Sequence, residues 1–506
     1  MQDALAHLLS VAPIVSGETS AGGDSIAILS PHDRRIAVGH VTEATAAQIA
    51  AAAAAARKAQ PDWDRLGGEA RARILERAAD AFEANRARLM AVMIREGGKT
   101  IPNALADLRE AVDFLRYYAS EARRQFASPM GLPGVTGERN ELSLHGRGVY
   151  ACIAPWNFPI AIFTGQVAAA LAAGNAVLAK PAGQTPITAY LATALLHQAG
   201  VPGEVLHFLP GGGASVGGAL VADERIGGIA FTGSTDTARA INLALARRPG
   251  PIVPLIAETG GINAMIADSS ALPEQVVRDV VASAFDSAGQ RCSALRVLFL
   301  QEDFAPKVLT MLTGAMRELR LGDPMDYATD IGPVIDEAAR QTLNAHKSRM
   351  RREAKELIDL PLPEACKAGT FVTPAAYEID SMAVLEREVF GPVLHVVRYG
   401  RGSLDKVCEA VNAAGYGLTL GIHSRIGATA DYIAGRVRVG NIYVNRNQIG
   451  AVVGAQPFGG EGLSGTGPKA GGPHYLPRFA VERVRTTDTT ASGGNASLLA
   501  AAEAAS

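Results

Sequence analysis

Cysteine is scarce: four residues in 506, at 152, 292, 366 and 408, with no CxxC pair among them. Such spacing excludes a disulfide framework and argues against a zinc site, so no metal is expected and the compartment reads as reducing. An excess of charge of one sign is also missing, since 48 Lys and Arg oppose 50 Asp and Glu. A formal charge of -2 creates no field to gather nucleic acid or an anionic membrane, so a small molecule is the expected partner. The one basic cluster, "HKSRMRREAK" (346–355), reads as a solvated helix face. No unbroken apolar run approaches the roughly 20 residues of a membrane span. The opening "MQDALAHLLSVAPIVSG" carries Asp3 and no positive leader, so a cytoplasmic protein is expected.

Several short motifs are incomplete. "GEGLSG" (460–465) satisfies GxGxxG without directly joining a strand to a helix, and "GGKT" (97–100) lacks the upstream glycine of a P-loop. "GASVG" (213–217) matches a nucleophile elbow around Ser215, which keeps a serine hydrolase open as a rival.

What is present is enough apolar side chain, 48%, to fill more than one large core. Residues 44–59 and 104–124 read as helices, the second burying a face of Leu105, Leu108, Val112, Leu115 and Ala119. Residues 128–155 turn to hairpin-like composition, an arm suited to contact between subunits. From 148 onward the apolar runs "GVYACIAP", "NAVLAKP", "EVLHFLP", "IGGIAFTG" and "PIVPLIAE" alternate with helical stretches, the pattern of an α/β doubly wound parallel sheet. A second alternating region, about 262–455, predicts a separate α/β unit.

Chemistry concentrates at three places. "FDSAGQRCSA" (285–294) sets Cys292 among polar neighbours, "LIAETGG" (255–261) ends a strand at Glu258, and "APWNFP" (154–159) closes another with Asn157. Singly these read as a small core thiol, a capping carboxylate and an Asx-turn residue. Together they supply a nucleophile, a base and an amide donor.

At these residues the sequence resembles the aldehyde dehydrogenase superfamily over nearly its whole length, through "PWNFP", "AKPAGQTP", "FTGST", "ETGG", "GQRC", "EVFGPV" and "PFGGEGLSG". Within it, "DIGPVID", "NIYVNRNQIGAVVGAQPFGGEGLSGTGPKAGGPHY" and "GGNASLL" look like the L-glutamate γ-semialdehyde (1-pyrroline-5-carboxylate) dehydrogenase module of proline utilisation A. The resemblance implies a Rossmann-like NAD-binding domain (1–128 and 150–258), an α/β catalytic domain (259–455), an oligomerisation flap with an anchor loop (129–149 and 456–490) and a tail (491–506). It implies oxidation of L-glutamate γ-semialdehyde to L-glutamate, the second step of proline catabolism, through a Cys292 thiohemiacetal and thioester. Asn157 would serve the oxyanion and Glu258 the hydrolytic water. Another short semialdehyde, such as succinate semialdehyde, is the alternative substrate.

Pro155, Trp156, Lys180, Gly211, Gly233, Ser234, Glu388 and Phe390 would meet NAD, although Ser234 alone reads as a helix cap and Phe390 as core. The family usually has a glutamate where this chain has Gly183, which leaves NADP admissible. Phe158, Ser293, Gly471, Gly472 and Phe479 would hold the substrate. A homodimer is expected, and a proline dehydrogenase, fused or separate, is the further partner implied.

Overall fold

The computed structural model describes residues 9–20 and 22–489, so the expected tail at 491–506 and its "GGNASLL" lie outside the described residues. The five apolar runs that follow residue 148 form one parallel sheet, in the order Leu255–Thr259, Ile226–Gly233, Val149–Ile153, Ala176–Lys180, Leu206–Phe208. Two short antiparallel strands, Ile14–Val15 and Glu18–Thr19, extend its far edge. Val149–Ile153 and Ala176–Lys180 are buried at every residue, as strands covered on both faces must be. The chain runs outward from Val149–Ile153 in one direction, then returns to its other side for Ile226–Gly233. That reversal opens a crevice beyond the strand ends, between Pro155–Asn157 and Ser234.

A second sheet holds Lys355–Asp359, Ala375–Glu378, Val393–Tyr399, Val297–Gln301, Ala264–Ala267, Thr419–His423 and Asn441–Val444, parallel except at its first pair. Each sheet has its own apolar core, one drawn from residues 11–257 with Tyr475, Leu476, Phe479 and Ala480, the other from residues 262–437. The hairpin Met130–Leu132 with Glu138–Gly146 gains a third strand, Ala480–Asp488, in register from Gly146 opposite Ala480 to Glu138 opposite Asp488.

Both expected helices are longer than their sequence signals. Ala46–Arg65 starts at a Thr45–Gln48 capping box and continues through Pro61. Beyond the proline, buried Trp63 donates Nε1–H to the Leu171 carbonyl at 3.0 Å, an anchor that offsets the lost backbone bond. Ile101–Phe126 buries Leu108, Val112, Leu115 and Ala119 as expected, but Leu105 is 41% exposed and Asp107 takes its place inward. The basic run lies on the helix Glu337–Glu353, where Lys347 is buried against Asp359 at 2.7 Å rather than solvated.

The incomplete motifs resolve simply. Lys99 of "GGKT" pairs with buried Asp107 at 3.2 Å, exposed Ser215 contacts only the Gly212 carbonyl, and residues 461–462 make a short strand against Tyr416–Gly417. Among the described residues no cluster suits a metal ion and no helix is long and apolar enough to cross a membrane.

Asp107 also accepts the Ala161 N–H at 2.9 Å, fixing the helix that follows Asn157 and Phe158. Asp107→Ala strands a buried ammonium, a loss of about 3–5 kcal/mol. A clear fall in the thermal midpoint is therefore expected, larger than for Asp107→Asn. An Ala variant that melts with the parent would remove the pair from any role in stability.

Candidate active site

The helix Pro273–Phe285 is followed by left-handed backbone at Ser287 (φ 56°), Ala288 (φ 53°) and Gly289 (φ 67°). For the two residues with a Cβ this conformation costs roughly 1–2 kcal/mol each. The turn persists because carbonyls in and beside it are satisfied. Ser287 accepts from the Gln290 backbone at 3.0 Å, Gly289 from Arg296 Nη1 at 2.7 Å, Gln290 from Asn157 Nδ2 at 3.1 Å, and Arg291 from Arg296 Nη2 at 3.0 Å. The Cys292 carbonyl accepts from Asn263 Nδ2 at 2.6 Å. Glycine is required at 289, where a Cβ would stand 2.2 Å from the Gly391 carbonyl. The turn delivers Cys292, the only partly exposed thiol of the four, to the space between the two cores.

Asn157, Glu258 and Cys292 reach that space from three elements. Asn157 is buried and spends one amide hydrogen on Gln290, leaving the other for a ligand. Glu258, on Leu255–Thr259, lies with Cys292 along a pocket of about 100 Å³. Both its carboxylate oxygens are buried. Burial raises its pKa well above the carboxylate range, against the opposing pull of the Gly460 N–H and Lys469. The thiol is pushed up to about 12, first by burial and then by Glu388, Glu258 and Glu110. Local polarity therefore does not lower the thiol pKa; a base must take the proton.

On its other side Cys292 opens to a cleft of about 500 Å³ lined by Pro155, Trp156, Asn157, Gly233, Ser234, Glu388 and Phe390. Trp156 and Phe390 meet edge to face at 5.6 Å. Glu388 pairs with Arg296 at 3.0 Å and packs so closely that a Cβ on Gly260 would lie 1.7 Å from it. The Ser234 hydroxyl caps the helix Thr235–Arg247 by accepting from the Thr237 N–H at 3.2 Å. Asp236, on that helix, borders both this cleft and a cavity of about 810 Å³ lined by Lys180, Gly213, Ala214 and Phe231. Gly211 does not line that cavity; its left-handed φ of 148° and a Cβ position 2.4 Å from Val216 give it a turn role instead. Burial lowers the Lys180 amine to about 8, and its Nζ donates to the Pro181 carbonyl.

A sequence pattern common to aldehyde dehydrogenases matches residues 18–484. The chain belongs to the aldehyde dehydrogenase family. It is 53% identical over 471 residues to the bifunctional protein PutA of Klebsiella aerogenes, covering 92% of this chain but 35% of that protein. It is 37% identical to a 1-pyrroline-5-carboxylate dehydrogenase of Geobacillus thermodenitrificans, covering 92% of one and 90% of the other. A Thermus 1-pyrroline-5-carboxylate dehydrogenase solved with bound NAD superposes with a TM-score of 0.92 at 33% identity, over 96% of this chain and 95% of that one. The chain thus spans about a third of the PutA relative's length.

Three expected substrate residues do not reach the pocket of this aldehyde dehydrogenase. Phe479 is fully buried against Tyr150 and Tyr475, at ring separations of 4.7 and 5.1 Å. The Gly471 N–H is occupied by the Tyr118 hydroxyl at 2.9 Å, and a Cβ on Gly472 would stand 2.9 Å from Pro457. Both glycines back a second loop, and it is that loop's Gly450 and Ala451, with Phe458, that border the pocket. Phe158 and Ser293 line it, joined by Glu110, Phe114 and Arg291. The loop lies inside the family-like stretch "NQIGAVVGAQPFGG"; its small residues beside a paired aromatic were the available signal.

Iodoacetamide should alkylate Cys292 of the cofactor-free protein at a rate climbing about tenfold per pH unit into the alkaline range, because thiolate is the reactive form. A plateau near neutrality would reveal a resting thiolate and contradict a group pushed up to about 12.

Proposed function

We propose that this aldehyde dehydrogenase oxidises L-glutamate γ-semialdehyde to L-glutamate with NAD. The observation that carries the reading is the meeting of Cys292, Asn157 and Glu258 at the junction of a small pocket with a larger cleft. The domain division expected from sequence is part of the same reading.

The cleft suits a dinucleotide because it has a carboxylate at Glu388, an aromatic wall of Trp156 and Phe390, a capped helix start at Ser234, and the cavity around Lys180 beyond. Glu388 and Phe390 would hold the nicotinamide half, while Ser234, Gly233 and Lys180 would hold the remainder. Bound NAD supplies the hydride acceptor. Gly183 is exposed, with open space where a Cβ would stand, so nothing at that position repels a 2′-phosphate; NAD remains the preferred partner, with NADP admitted.

Cys292 adds to the aldehyde carbon once its proton is removed, and the carbonyl oxygen becomes an oxyanion. The free Asn157 amide hydrogen and the Cys292 backbone N–H would stabilise it. Hydride loss leaves a thioester, and Glu258 in its ionised form, which burial makes a stronger base, activates the water that cleaves it.

The substrate assignment follows from the far end of the pocket. Among the described residues the backbone N–H groups of Gly450 and Ala451 donate to no protein acceptor, which leaves them, with the Ser293 hydroxyl, for an α-carboxylate. Glu110, raised to about 8 by burial and then by Asp107, faces the same space, where an α-ammonium would favour its ionised form. Phe158 and Phe458 offer apolar walls to the intervening methylenes. Succinate semialdehyde has the carboxylate and lacks the ammonium.

The sheet ending in Ala480–Asp488 exposes Met130 and Val484, with Val135 on the hairpin loop, a surface we assign to a homodimer in a cytoplasmic setting. The PutA relatives make a proline dehydrogenase, fused or associated, the natural supplier of substrate. Light scattering should give twice the chain mass, and a monomer at micromolar concentration would remove the dimer.

NADH formation with glutamate semialdehyde should vanish in Cys292→Ala. In Glu110→Gln, kcat/KM for glutamate semialdehyde should fall by about 1.5–3 kcal/mol, a tenfold to hundredfold loss, with succinate semialdehyde nearly unchanged. Equal losses on both aldehydes would defeat the ammonium assignment, and a parent protein preferring succinate semialdehyde would defeat the substrate.

A further inference from the structure

Arg296 has no place in the chemistry above, yet it is 1% exposed and every recorded contact of its guanidinium lies within the Gly289–Arg291 turn or the 388–391 loop. Nη1 donates to the carbonyls of Gly289 at 2.7 Å and Gly391 at 3.3 Å. Nη2 donates to the Arg291 carbonyl at 3.0 Å and to Glu388 Oε1 at 3.0 Å. The cation stands 5.3 Å from the centre of the Phe390 ring. Its own backbone is fixed in the second sheet, with its N–H on the Asn263 carbonyl at 2.9 Å and its carbonyl accepting from His395 Nδ1 at 3.0 Å. One planar fork therefore touches the turn before the nucleophile and the loop carrying the carboxylate and aromatic ring of the cofactor cleft.

Burying a guanidinium costs several kcal/mol in lost hydration, and Nε here has no partner to offset its share. An apolar side chain of similar volume would fill the space without that cost. What it could not do is hold two loops at a fixed spacing, which a rigid five-donor fork does and a lysine does poorly.

We propose that Arg296 is a positioning residue that sets the distance between the Cys292 adduct and the nicotinamide ring, by holding the Gly289 and Arg291 carbonyls and the Glu388 carboxylate on one guanidinium. The proposal rests on the reading that Glu388 and Phe390 meet the nicotinamide half. Hydride transfer is the step most sensitive to that distance, whereas addition of the thiol to a small electrophile is not.

The test compares the parent with Arg296→Lys and Arg296→Met, using glutamate semialdehyde with protium or deuterium on the formyl carbon, and iodoacetamide without cofactor. For Arg296→Lys, kcat should fall by about 10²-fold, the effect of displacing reacting atoms by an ångström. The deuterium effect on kcat should rise above the parent's as hydride transfer becomes limiting, while alkylation of Cys292 stays within a few-fold of the parent. Arg296→Met should show the same pattern, more severely. Parental kcat and isotope effect in the Lys variant would overturn the proposal. So would equal losses of oxidation and alkylation, which mean a collapsed turn, or failure of both variants to fold, which makes Arg296 plain scaffold. If the parent itself forms no NADH from any aldehyde, the underlying functional reading fails instead.

Discussion

The site depends on a stretch of backbone that would not hold its shape alone. Ser287 and Ala288 are left-handed residues with side chains, and Gly289 completes the turn before the thiol. Their unfavourable geometry survives because Gln290, Asn157, Asn263 and Arg296 each supply a donor to a carbonyl in or beside the turn. Two of those donors also belong to functional surroundings. Asn157 commits one amide hydrogen to the turn and leaves the other to the pocket, and Arg296 shares its guanidinium between the turn and Glu388. Strain in the backbone before Cys292 and order in its neighbours are thus one arrangement.

Electrostatics follow from where the turn leads. Burial keeps the Cys292 thiol and the Glu258 carboxyl protonated well beyond their ordinary ranges. A carboxyl held protonated takes no proton from sulfur; only when ionised is Glu258 an unusually strong base facing a poor acid. Glu388 and Glu110 add negative potential against a thiolate, and Arg296 tempers the first while Arg291 and Lys99 temper the second. A resting neutral thiol is the consequence, reactive only when something in the cavity stabilises the anion.

Much of this was legible in the chain. The strand runs after residue 148 announced a parallel sheet, and Glu258 and Asn157 stood at its punctuation points, where turn chemistry follows an apolar run, while Cys292 stood in a polar turn of the second unit. What failed did so for reasons of space. Two glycine-rich loops of like composition lie close together, and composition does not tell the one facing the pocket, with Gly450 and Ala451, from the one behind it, with Gly471 and Gly472. Phe479 looked like a substrate wall because it is aromatic and near the loop, but it belongs to the first core. Glu110 was invisible because a glutamate on an amphipathic helix reads as solvated until the tertiary fold closes over it.

The placement of the site between two cores has a further consequence. Asn157 and Glu258 are carried by elements of the first core, while Cys292 comes from the second. Each core is apolar and self-contained, but many of the contacts that align them are polar. Asn157 reaches the Gln290 carbonyl, Asn103 bonds both Asp286 and Arg291, Gln184 donates to Asp336 at 3.1 Å, and Arg95 pairs with Asp323 at 2.9 Å. Such contacts are directional and individually modest, about 1 kcal/mol for the neutral Asn157–Gln290 bond and about 1.5–3 kcal/mol where a charged group takes part. Losing one leaves both cores folded and shifts the Cys292 thiol relative to Asn157 and Glu258. Catalytic alignment is therefore the least redundant property of this fold, and chemistry should be lost well before stability.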